Sequence, residues 1–70
     1  MTPKDKAIDL VHRYRMLFMN EGEDYGEEIL VSLLSQKCAL IAVDEILSVV
    51  WLNTKGFSYW KEVKQHINEL

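Results

Sequence analysis

Few side chains in this chain are of a type that does chemistry, and their spacing limits what they can do. The two histidines are His12 and His66. A metal site needs two or three converging ligands, such as histidines at i and i+4 of one helix. Asp9 with His12, and Glu62 with His66, each offer one carboxylate and one imidazole, which falls short of a site. Both histidines therefore read as ordinary surface or boundary residues. Asp44 and Glu45 form an adjacent carboxylate pair. Neighbours on a helix diverge by about 100°, so these two cannot share a proton or flank one bond. Asp44 falls instead into a polar seam with Lys37 and Ser48, and Glu45 is expected to meet a cation from another helix or subunit. Cys38 lies among apolar residues without the base or electropositive setting that a nucleophile needs, and reads as a small buried hydrophobe. The chain has no glycine-rich phosphate loop, nucleophile elbow or metal signature. No catalytic residue, metal or cofactor is expected, and the chain is not read as an enzyme.

Binding chemistry has better material. Arg13, Arg15, Lys37, Lys61 and Lys64 are candidate anion contacts, and Tyr14, Tyr59 and Trp60 are aromatics close to them in sequence. Nucleotides call for that mixture, cations for phosphate and flat rings for the base. The plainer reading of the same cations is a solvated helix face. The acidic stretch from Glu21 to Glu28 carries five carboxylates but lacks the alternating oxygen pattern of an EF-hand loop. It reads as helix-start and loop chemistry. The net charge of −3 makes long-range attraction to a phosphate backbone weak, so direct DNA binding is not expected.

Three helices must position these residues. Thr2 can cap the first, Pro3 suits its first position, and Asp5 stands at the third. Ala7, Ile8, Val11, Tyr14, Leu17 and Phe18 then give one apolar stripe at spacings of three and four. The second helix is expected to start between Asp24 and Glu28 and to end near Trp51 or Leu52, and it is apolar nearly all round. Its one polar sector holds Lys37, Asp44 and Ser48. Leu33, Leu40 and Trp51 border that sector on one side and Leu34, Ile41 and Leu52 on the other. The β-branched content of "ILVSLL" and "SVVWL" leaves open a short strand or helix break in either place, and with it the continuity of the helix through residues 32–36. In "NTKGF", Gly56 can take the positive φ that ends a helix, and Ser58 can cap the third. Trp60, Val63, Ile67 and Leu70 form its stripe. The expectation is one all-α domain, 1–70, with helices over 3–19, 25–52 and 58–69 and a long hydrophobic helix at its centre.

A 70-residue chain has little protein with which to cover such a helix. Domains of this size draw roughly 3–5 kcal/mol from one core, and disulfides, metals or partner subunits usually add to it. A single cysteine excludes an internal disulfide and fits a reducing compartment. Two amphipathic helices cover two sides of the central one. The remainder, around Leu33, Leu40, Leu47 and Trp51, is expected to face water unless another copy covers it, which predicts a homo-oligomer. "MTPKDKAIDL" has no apolar core of a signal peptide, and Asp44 with Glu45 argues against a membrane span in the second helix. A cytoplasmic protein is expected.

"TPKDKAIDLVHRYR", "QKCALIAVDEIL" and "YWKEVKQHINEL" together resemble a group of small helical proteins encoded by bacteriophages. "CALIAVDEI" is the specific part of the match. The resemblance implies a phage accessory protein made in the bacterial cytoplasm and acting against host defence. Two modes fit. The first binds or sequesters a small nucleotide-type signal between subunits, at a junction lined by Arg13, Arg15, Lys37, Tyr59 and Trp60. The alternative is an interaction module that docks its apolar second helix on a host or phage protein.

Overall fold

The computed structural model describes residues 1–21 and 28–70, with side chains over 1–19 and 30–70. The chain is an all-α, three-helix domain of α1 (Pro3–Glu21), α2 (Glu28–Val50) and α3 (Thr54–Glu69), with no strand among the described residues. The expected start of the second helix near residue 25, and most of the acidic run from Glu21 to Glu28, lie outside the described residues.

The start of α1 follows from its cap. Thr2 Oγ1 accepts from the Asp5 amide at 3.1 Å and the Thr2 carbonyl from the Lys6 amide at 2.9 Å. The first satisfies an amide that no helical carbonyl can reach, and the second is the opening i→i−4 bond of the helix. The inward stripe of α1 is rotated from the expected one. Ala7 is fully buried and Leu10, Val11 and Tyr14 pack on the core, whereas Ile8 and Leu17 are largely exposed.

α2 runs unbroken through residues 32–36. Ser35, fully buried there, donates its hydroxyl to the Val31 carbonyl at 2.7 Å, so the helix accommodates it without an orphaned polar group. The joint to α3 differs from the expected one. Asn53, with φ −99° and ψ 103°, is the cap; its Oδ1 accepts from the Gly56 amide at 2.9 Å and its carbonyl from Phe57 at 2.7 Å. Gly56 thus sits inside the first turn of α3, and Ser58 lies a turn further in. Both Asn53 and Ser58 have capping side chains; the earlier one gives α3 an additional helical turn.

Contacts fix the directions. Gln36 Nε2 donates to the Ile67 carbonyl at 2.7 Å, and Lys64 Nζ meets Asp44 Oδ1 at 2.8 Å. Along those pairs one number rises as the other falls, so α2 and α3 are antiparallel. Tyr59 donates its hydroxyl to the Met1 carbonyl at 3.0 Å, which sets the start of α1 beside the first half of α3. The core is Ala7 of α1, Ala39 and Val43 of α2, and Val63 and Ile67 of α3, ringed by Leu40, Leu47, Tyr59 and Trp60 among others. Leu40 and Leu47, expected to face water, pack on that core instead. Leu70, expected to extend the α3 stripe inward, is mostly exposed. The molecule measures 42 × 19 × 17 Å. Its short axes are less than two helix diameters of about 10–12 Å, so no helix is shielded all round.

Candidate functional site

The surface that stands out is the outer face of α2. At about 100° per residue, Lys37, Asp44 and Ser48 share one sector opposite the buried Ser35, Ala39 and Val43. All three seam residues are exposed. Leu33 (46% exposed) lines one side of the seam and Ile41 (65%) the other, while Leu30 falls on the seam itself. Trp51 and Leu52, in the turn that follows, prolong the two apolar rows and are exposed as well. Of the residues expected at an oligomer interface, Leu33 and Trp51 are therefore on the surface, while Leu40 and Leu47 serve the core. Leu30 and Ile41 take their place there. The helical wheel already placed Ile41 beside the polar sector, and the same wheel places Leu30 there too.

The seam is tied to the bundle by Asp44, whose Oδ1 holds Lys64 of α3. The cation expected at Glu45 goes to its neighbour. Glu45 uses its backbone carbonyl to accept from the Ser48 hydroxyl at 2.6 Å. An exposed ion pair of this kind contributes little to stability, about 0–1 kcal/mol, but it fixes the carboxylate's position.

The five residues expected to bind an anionic ligand do not converge within one molecule. Tyr59 and Trp60 stack edge to face, centroids 5.4 Å apart at 83°, at the end of the bundle where Tyr59 meets Met1. Arg13 and Arg15 lie about 15–20 Å further along α1 at 1.5 Å per residue. Arg13 is paired with Asp9, Nε to Oδ2 at 3.1 Å, and Lys6 approaches the same oxygen at 3.9 Å. Lys37 points outward from α2. Lys61 lies over the Phe57 ring at 5.4 Å. Arg13 and Lys61 thus have local partners, as cations on a solvated helix face do.

Arg15 does border a groove of about 460 Å³ between the helices. His12 and Arg15 from α1, with Ser32 and Gln36 from α2, line it together with apolar Ile8, Val11, Leu33 and Leu70. The volume is within the range of small-molecule sites, about 300–1,000 Å³. Gln36 already spends its amide on Ile67.

The histidines are apart. His12 is exposed on α1, and His66 Nδ1 lies 3.6 Å from Glu69 Oε2 rather than against Glu62. Among the described residues no group of three His, Cys, Asp or Glu side chains could hold a metal ion. Cys38 is half-buried rather than fully enclosed. No described helix is long and apolar enough to cross a membrane. No family model, no curated protein and no solved structure matches this chain.

Proposed function

We propose that this chain is a non-enzymatic interaction protein that works by burying the outer face of α2 against another protein surface. One observation carries the reading. Leu30, Leu33 and Ile41 on one side of α2, and Trp51 and Leu52 in the turn after it, are exposed, while the opposite side of the helix is already packed. Soluble monomers rarely expose several large apolar side chains along one face, and apolar side chains set beside charge are the anatomy of an interface core with a polar rim. The setting is the one that the resemblance implies, a phage accessory protein in the bacterial cytoplasm with a role in counter-defence.

A photo-reactive amino acid at position 41 tests the reading in cells, with the same probe at exposed Glu62 on α3 as control. The expected result is a discrete protein adduct from position 41 and none from position 62. No adduct from position 41, or equal labelling at both, overturns it.

The groove favours a second reading, in which Arg15 and His12 hold a small anionic nucleotide over the apolar floor of Ile8 and Val11. Calorimetry against cyclic dinucleotides and ADP-ribose derivatives tests it. Binding that is lost in Arg15→Ala supports it, and no heat with any of them removes it.

A further inference from the structure

We infer that the partner on the outer face of α2 is a second copy of this chain, laid antiparallel about a two-fold axis beside Ile41. The inference rests on reading that face as an interface, and the pattern of charge along the seam carries it.

Lys37 and Asp44 are the charged residues at the centre of the exposed face, two helical turns apart. They lie at equal distances on either side of the midpoint between Leu40 and Ile41. An antiparallel copy centred on that midpoint therefore brings its Asp44 level with Lys37, and symmetry repeats the pair on the other side. A parallel copy in register does the reverse. It sets Lys37 against Lys37 and Asp44 against Asp44, two like-charge contacts in place of two attractive ones.

The apolar residues obey the same axis. Leu30 and Trp51 are equidistant from the midpoint and come level with each other's counterparts, as do Leu33 and Ser48. Ile41 comes level with Leu40 of the second copy beside the axis. Exposed side chains thus cover exposed side chains over about 31 Å, with the Trp51 indole against Leu30 of the second copy. Asp44 is prepared for its role. Oδ1 holds Lys64 at 2.8 Å, which leaves Oδ2 for Lys37 of the second copy, so each carboxylate lies between two cations. The apolar rows supply the affinity. The exposed charges choose the direction, which is what rim charges do well. One helix face is smaller than a standard interface of about 800 Å² per partner, so the dimer is expected to be concentration-dependent.

Sedimentation equilibrium on the full chain, with Lys37→Glu, Asp44→Lys and the double reversal, tests the pairing. Circular dichroism confirms that each variant is helical. The wild type is expected to dimerise, with each single reversal weakening the dimer at least about tenfold because symmetry applies every change twice. The double reversal is expected to recover most of that loss. A wild type that remains monomeric to roughly 500 µM, far above an effective interface's range, overturns the inference, as does a dimer indifferent to the single reversals. Orientation has its own readout, taken in a Cys38→Ala background. Chains carrying Leu33→Cys and chains carrying Ser48→Cys are expected to cross-link when mixed and not when alone, because like positions are about 22 Å apart along the axis in the antiparallel dimer. Cross-linking of either one alone indicates a parallel pair and sinks the inference. A monomeric chain that still gives a heterologous adduct from position 41 leaves the interface reading standing and removes the self-pairing. No adduct at all removes both.

Discussion

Val31, Ser35, Ala39 and Val43 are the buried residues on the inner face of α2, four apart; Leu30, Leu33, Ile41 and Trp51 are exposed on or beside its outer face. The distribution is unusual because the smaller side chains are inside. A ridge of small residues at i±4 spacing makes a shallow groove into which α1 and α3 fit closely, with Ala7, Val63 and Ile67 filling the space. Close approach of backbones leaves no room for leucine there, so the larger apolar side chains of α2 are displaced outward. The inner face is built for packing within the chain. The outer face holds apolar surface whose burial, at roughly 25 cal/mol per Å², becomes available only on contact with something else. A small domain can be folded by the first and put to use by the second.

The sharpest way to break this comparison is to hollow the inner face. Ile67→Ala removes the largest fully buried side chain and is expected to cost about 2–5 kcal/mol, comparable to the roughly 3–5 kcal/mol that such a core supplies. Urea titration followed by circular dichroism should show little or no cooperative transition; a normal midpoint would mean that the inner face is not the core. Overfilling comes next. Ala39→Leu forces about three additional heavy atoms into a site that is fully buried, and about 1–3 kcal/mol is expected to be lost. The same urea midpoint measures it, and an unchanged value would show that the small-residue ridge is not needed for close approach.

Gly56→Ala examines the joint that hands α2 to α3. With Gly56 in the first turn of α3, a Cβ there would meet Asn53 and Val50 no nearer than 3.5 Å, ordinary contact. The substitution is expected to raise stability by about 0.5–1 kcal/mol, through lower entropy of the unfolded chain. A residue needed for positive φ would respond with the opposite sign, so the direction of the thermal shift decides. The smallest expected effect belongs to the outer face. Ile41→Ser should change the stability of the dilute monomer by less than about 0.5 kcal/mol, since the side chain is already largely in water. At higher concentration the same variant should lose association. A large loss of monomer stability would contradict the division between the faces.

Much of the architecture was legible in the residues because two of its signals are local. Thr2, Pro3 and Asp5 mark the start of α1, and the hydrogen bond from the Asp5 amide to Thr2 is where that signal led. Val63 and Ile67 belong to a one-sided stripe, and both are fully buried. The candidate ligand residues were less legible. Arg13, Arg15, Tyr59 and Trp60 have suitable chemistry, but their separation depends on Tyr59 docking at Met1. Sequence distance carries no trace of that contact.

Composition and periodicity determined that there are three helices, roughly where they lie, and that the middle one has more apolar surface than its neighbours can cover. They marked the seam of Lys37, Asp44 and Ser48 as the outer face but could not determine which of the apolar residues flanking it join the core. Leu40 and Leu47 look as free to face water as Leu33 and Ile41. Packing chose, and it chose the row of small residues because only they admit two neighbouring backbones. The ends of the helices decided the rest. Val31 and Val49 lie five full turns apart on the same line of α2, yet one is 7% exposed and the other 79%. The start of α1 sits level with Tyr59, part-way along α3, so the last turn of α2 projects past it with no helix of that side to cover Val49.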